Sequence, residues 1–283
     1  MKKILIAGTV MAVILFNFIT TLEAKPIVLF AYSNIKHNLP RKSVKKLKEG
    51  ADSKKFFTLK VNIGDKLGNV FTRTISYQGD GFTELVSRVG GTGVYTVVDA
   101  NPIKPVFDGV FRYDGRPESK GRVEITDTGK TSSYNGNRSA NTDGSGVMFN
   151  PLIWGSPPDK IKKGDTWTVN IPIAWELGGA GAQTVTVISI DESNNTVMLK
   201  REGNSEGFYD NDIKQVTINK DGKTVSVAIT PGTSHWVGYT TFKNGLVISD
   251  ELLVSRPVTL TAENLKLNAF EREYILLNAM PVS

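Results

Sequence analysis

Cysteine is absent from the 283 residues, and histidine occurs only twice, as His37 and His235. The first absence excludes disulfides, thiolate metal sites, a cysteine nucleophile and the lipid-modified cysteine of a bacterial lipoprotein. The second leaves a zinc site of two or three histidines without its ligands, and no HExxH occurs. Phosphate loops of the GxxxxGK type are missing as well, and GGTGVY and GGAGAQ lack the strand-then-helix setting that gives such glycines meaning. Nucleotide and metal chemistry are thereby set aside, and no cofactor is expected. Beyond the first residues there is no long apolar run and little helical periodicity.

Those first residues, MKKILIAGTVMAVILFNFITTLEA, place Lys2 and Lys3 before an apolar run from Ile4 to Ile19 and end in Ala24. Charged, apolar and small-residue regions in that order describe a secretory signal peptide. The run is shorter than the roughly 20 residues a spanning helix needs, so cleavage after Ala24 is expected rather than anchoring. The remaining chain is then exported, to a periplasm or to the exterior, and is large enough to form a core without disulfide staples.

The formal charge of +6 is local. Between Lys36 and Lys60 nine Lys or Arg meet only Glu49 and Asp52, while the rest of the chain is close to neutral. Residues 25–55 are expected to be a basic N-terminal arm, a solvated face that could also touch an anionic envelope surface through 36–60. Export argues against nucleic acid as its partner.

From Phe56 onward, short β-like runs alternate with Gly, Asn and Asp turns. TWTVNIPIAW, Thr166 to Trp175, is apolar at each odd position and polar or small at each even one, the mark of a half-buried strand. Trp167 and Trp175 then share a face but stand roughly 26 Å apart. They cannot form one sugar-stacking platform and are assigned to the core; Pro172 suggests an edge strand or a bulge. Trp154, in the Gly- and Pro-rich WGSPPDKIKKGD, either plugs the core or stands exposed. The GDTW element followed by hairpins resembles exported bacterial β-proteins in general, which implies no activity.

Further hairpins are read at TVTVISI with NTVMLK, KQVTIN with KTVSVAIT, and HWVGYTTFK with LVISDELLV around Asn244-Gly245. GVYTVVD, GVFRYDG and GRVEITDTG read the same way, and ENLKLNAFEREYILLNAM is taken as a strand. The expected fold is all-β, an antiparallel β-sandwich or open barrel built from successive hairpins, over 56–283. A polar, Gly-rich loop at 132–150 marks a possible split into two subregions, and no repeat of fixed period is read.

A two-residue turn at Asn244-Gly245 sets His235 opposite Val254, Asp250 opposite Tyr239 and Gly238 opposite Glu251. Ser234, His235 and Asp250 then cannot form a triad, because His235 and Asp250 lie about 13 Å apart along the ladder. Both faces of this hairpin come out mixed, and an open patch is expected beside Trp236. The candidate ligand-binding residues are therefore Trp236, Glu251, His235 and Trp154.

The preferred function is that of an exported non-enzymatic β-protein binding a carbohydrate or amphipathic ligand at the bacterial envelope. The first alternative is a polysaccharide hydrolase or lyase using two carboxylates among Glu176, Asp210, Asp212, Asp250 and Glu251. FYDND, Phe208 to Asp212, lacks the glycine and glutamate of a calcium loop and reads as a turn. The second alternative is a structural envelope protein docked through its basic arm. Mass spectrometry of the exported protein checks the first step, and the expected N-terminus is Lys25; an intact Met1 chain contradicts it.

Overall fold

The computed structural model describes residues 50–79, 82, 85–126, 129–134, 137–141, 147–172, 174, 175, 177–208, 215–280 and 282, with main chain alone at 85, 86, 126, 129–134 and 137–141. They belong to one compact unit, Leu47–Ser283. The expected signal peptide, and the arm up to residue 49, lie outside the described residues.

The chain enters through β1 (Ala51–Asp52) and α1 (Lys54–Phe57), then runs through β2 (Lys66–Gly79), β3 (Leu85–Asp99), β4 (Val106–Tyr113), β5 (Ser119–Thr126), β6 (Gly129–Tyr134) and β7 (Asn137–Asn141). After α2 (Pro151–Trp154) and β8 (Lys160–Ile161) come β9 (Thr166–Ile171), β10 (Gly181–Asp191), β11 (Thr196–Ser205), β12 (Gln215–Lys220) and β13 (Lys223–Pro231). The chain closes with β14 (Ser234–Lys243), β15 (Leu246–Ala262) and β16 (Leu265–Met280).

One antiparallel sheet holds nearly all of this, in the order β7-β6-β5-β4-β3-β2-β16-β15-β14-β11-β10-β9, with β12 and β13 branching from the far end of β15. Successive hairpins build each half. Asp221-Gly222 and Asn244-Gly245 both have positive φ at two consecutive residues, which matches the twist of the strands they join. The two halves meet where β2 pairs with β16 over twelve positions, Gly68↔Met280 to Gly79↔Ala269. The sheet is therefore continuous across the chain's two halves, and β9 is an edge strand of it.

Several expectations change. Strands β6 and β7 occupy part of the 132–150 stretch read as a loop. Strand β9 stops at Ile171, because Pro172 cannot donate to the ladder, and Trp175 instead bridges Gly178 in the turn that follows. The last residues assigned to the basic arm already belong to the body: Ala51 and Asp52 pair with Ile161 and Lys160, and α1 begins at Lys54.

A repeat is also present that the sequence conceals. Gly64-Asp65 opens β2 and Gly164-Asp165 opens β9, with the glycines at φ of 91° and 92°. Each aspartate accepts from the main-chain N–H three residues before it, Asn62 at 2.7 Å and Lys162 at 2.9 Å. Each Gly-Asp pair then exchanges two main-chain bonds with one valine of the neighbouring strand, Val97 or Val187. A bulge follows both valines. The copies share little beyond Gly-Asp, so no fixed period shows in the letters.

The inner face carries three apolar clusters. The largest lies on β9, β10, β11, β14, β15 and β16 and is sealed by Phe56, Phe57, Ile153 and Trp154. A second joins Val97, Phe107, Phe111, Val123 and Ile125 to Leu59 and Met148. The third packs the β12–β13 hairpin against Tyr77, Val258, Leu260 and Ala269.

Candidate functional site

The register of β14 against β15 decides what each face displays. Lys243 and Phe242 pair with Leu246 and Val247 as the two-residue turn requires, but Thr241 pairs with Ser249, leaving Ile248 as an extra residue. Every later pair is shifted by one: Trp236 faces Val254, Gly238 faces Leu252, Tyr239 faces Glu251, and His235 faces Ser255. The mixed faces expected from an unbroken ladder therefore separate into a dry one and a wet one. Along β14, Ser234, Trp236, Gly238, Thr240 and Phe242 are buried, and Asp250, Leu252, Val254 and Arg256 are their neighbours on β15.

The four candidate ligand residues divide between the two faces. Trp236 and Trp154 are inside, 4% and 1% exposed, whereas His235 and Glu251 are exposed on the outer side. The patch anticipated between Gly238 and Glu251 does not form, because the bulge sets Leu252 there. Glu251 instead accepts the Tyr274 hydroxyl at 2.9 Å, and burial followed by this bond raises the tyrosine to about 12.

The tryptophans hold the core together. The Trp236 indole N–H donates to Gln183 Oε1 at 3.1 Å, and Gln183 donates to the Ile153 carbonyl at 2.5 Å, tying α2 to the sheet. The N–H of Trp167 donates to the Trp154 carbonyl at 2.7 Å. Trp175 meets Trp236 edge-on at 5.1 Å, and a side chain at Gly203 would come within 2.7 Å of the Trp236 ring. Trp154 is a plug, with the Arg201 guanidinium 5.0 Å above its ring.

Charges lie among these apolar groups. Arg201 bonds Asp250 at 2.7 Å, both fully buried, and Thr240 donates to the other Asp250 oxygen at 2.5 Å. One strand further, Arg256 meets Glu271 at 2.8 Å and Glu273 at 3.4 Å, and Arg73 of β2 also pairs with Glu273. Burial is the largest influence on Glu273 and raises it above the ordinary carboxylate value, against the pull of Arg73 and Arg256. The folded chain thus takes up this proton before the unfolded chain as pH falls; the stability it adds is present in acid and lost as pH rises through the folded value. The named groups of each network sum to zero charge.

These ion pairs bear on the enzyme alternatives. Of the five candidate carboxylates, Glu176, Asp210 and Asp212 lie outside the described residues, as does most of FYDND. Asp250 and Glu251 are successive residues on opposite faces and cannot act on one bond. Glu271 and Glu273 do share a face, but they are 2% and 1% exposed and held by arginines. Gly203 to Gly207 read GNSEG and fit the GxSxG spacing of serine nucleophiles, yet Ser205 ends a strand, is 2% exposed, and lies on the face opposite His235.

One part of the inner face stays unsealed. In β14 to β16 buried and exposed residues alternate, but in β2 the six residues from Phe71 to Ser76 are all half-buried. Phe71, Ile75 and Tyr113 each pack on the rim of a different apolar cluster, with Arg73 and Val89 facing each other between them. Phe71 and Tyr113 meet edge-on at 5.5 Å. In the duplicated strand β9 the equivalent inner positions are Trp167, Val169 and Ile171, which α2 covers; β2 has Leu67, Asn69, Phe71 and Arg73. Sequence reasoning missed this patch, which depends on contacts between elements far apart in the chain.

The chain matches no family model and no curated protein. Among solved structures, Ail, the attachment invasion locus protein of Yersinia pestis, is 7% identical, with 76% of this chain and 99% of that one covered at a TM-score of 0.16. A likeness that slight carries nothing about fold or function here.

Replacing Arg201 with Met leaves Asp250 buried without its cation and is expected to destabilise the protein by about 3–5 kcal/mol in denaturant unfolding. The double change Arg201→Met with Asp250→Leu recovers most of that loss. A single variant as stable as the parent contradicts this account of the pair.

Proposed function

We propose that this chain is an exported, non-enzymatic binding protein of the bacterial envelope that holds an amphipathic ligand on the unsealed inner face of β2, β3 and β4. The observation that carries the reading is the patch formed by Phe71, Arg73, Ile75, Val89 and Tyr113. There, three separate cores meet and do not close. Mostly apolar lining with a few polar groups is the usual composition of a small-molecule site.

The same facts favour an amphiphile over a carbohydrate. Trp154, Trp175 and Trp236 are buried and packed against other core side chains, so they offer a sugar ring no platform. The buried carboxylates are paired with arginines, which favours binding over hydrolysis. Export rests on the sequence of the first 24 residues.

The test is a fluorescence titration of the mature protein with N-phenylnaphthylamine, an uncharged probe that brightens in apolar surroundings. Saturable binding is expected, weakened roughly tenfold or more by Val89→Asp, which sets a charge on the patch. No saturable binding, or equal affinity in a stably folded Val89→Asp protein, overturns the reading.

A further inference from the structure

The outer face of the sheet carries an apolar row of its own. The pairings run straight across six neighbouring strands, from Glu202 on β11 through Val237 on β14, Leu253 on β15, Tyr274 on β16 and Thr74 on β2 to Arg88 on β3. Paired residues point to one side, and the residues that precede and follow Val237, Leu253 and Tyr274 in the chain are all buried on the other. The three themselves are 37%, 46% and 37% exposed. Apolar side chains scattered singly over a surface are ordinary; three that adjoin on successive strands form a strip of the kind that marks an interaction site. The next row adds half-buried Tyr239 and Leu276 on either side of Glu251. Glu251 accepts the Tyr274 hydroxyl at 2.9 Å, which holds that ring in place and lowers the ordering cost of a contact made through it.

The row is also self-complementary. Its acid, Glu202, and its base, Arg88, stand at opposite ends with the apolar residues between them. A two-fold contact uses the same surface on both copies, so a strip suits it only if it complements itself. An axis running along the strands between β15 and β16 lays the row on its own reverse, with the strands of the two sheets roughly aligned. Leu253 of one copy then meets Tyr274 of the other, Val237 meets Thr74, and Glu202 comes to the side of Arg88. In the adjoining rows Glu251 lies on Leu276 and Arg272 on Ser255, so no charge there opposes its like. An anionic lipid surface, by contrast, would be repelled by Glu202 and Glu251.

We propose that this face is a homodimer interface, in which the Val237, Leu253 and Tyr274 strips of two copies pack together about a two-fold axis between β15 and β16, with Glu202 of each copy beside Arg88 of the other. The ligand patch proposed above lies on the opposite face of the sheet and stays open in such a dimer. The two proposals therefore stand or fall separately.

The test is sedimentation velocity of the mature protein over a concentration series. A reversible dimer is expected in roughly the micromolar range, as suits a strip of this size. Leu253→Asp, which sets a carboxylate of each copy at the centre of the contact, is expected to weaken it roughly a hundredfold or more. Glu202→Lys and Arg88→Glu each weaken it roughly fivefold, and the double swap recovers most of that loss. Within one chain these two positions are roughly 24 Å apart along the sheet, at about 4.8 Å per strand, so rescue has to arise between copies. Thermal melts show whether each variant is folded; if Leu253→Asp is not, Val237→Lys and the charge swaps decide. A chain that stays monomeric at roughly 0.2 mM, or a dimer that Leu253→Asp leaves intact in a folded protein, overturns the interface. Failure of the double swap to recover the loss overturns the two-fold arrangement. A monomer that instead binds vesicles of anionic phospholipid, and loses that binding in Leu253→Asp, overturns the second copy as the partner and assigns the strip to a lipid surface.

Discussion

A single extra residue, Ile248, determines which side of β15 is dry. Strand side chains alternate with a period of two, so a one-residue slip exchanges the whole set. With the bulge, Leu252 and Val254 enter the core beside Trp236, and Asp250 and Arg256 enter with them. The cost of burying those two charges then obliges other strands to supply partners: Arg201 and Thr240 for Asp250, and Glu271 and Glu273 for Arg256. The second of these pulls in Arg73 from β2, across the seam where the two halves of the sheet join. The bulge, the ion pairs and the seam are one connected set of constraints.

That connection explains why the sheet is sealed in one place and open in another. Over β9 to β11 and β14 to β16 the inner residues are apolar or internally paired, and the short helices α1 and α2 can lie on them with no polar group stranded. Over the middle of β2 the inner row contains Arg73, whose side chain is partly exposed; an apolar lid across it would have to desolvate part of a charged side chain. Each of the three cores contributes a partly buried aromatic or aliphatic side chain to this border, Phe71, Tyr113 and Ile75. The patch follows from the placement of a charge.

Much of the fold was legible from local pattern. The alternating runs and the Asn-Gly turn identified the hairpins, the reading of residues 263–280 as a strand held in β16, and Trp167 and Trp175 were assigned to the core, where both pack. The site was not legible. The turn at Asn244-Gly245 fixed the first two pairs correctly, but nothing in the letters announces a bulge at Ile248, so Glu251 was set on the same face as Trp236. Arg73 drew no attention because its significance depends on Glu273, two hundred residues away, and on a pairing between the first long strand and the last. The duplicated Gly-Asp entry was equally hidden, since its likeness lies in main-chain bonds to Val97 and Val187.

The central claim is that the middle of β2 and β3, on its inner side, is where this protein meets its ligand. Hydrogen–deuterium exchange of the mature protein with and without saturating dodecanol probes that location directly, because a chain laid on the patch slows opening of the strands beneath it. The account predicts added protection in segments carrying Phe71 to Ile75, Val89 and Tyr113, and none specific to the segments carrying His235 and Glu251. Protection concentrated around His235 and Glu251, or none anywhere at saturation, would contradict it.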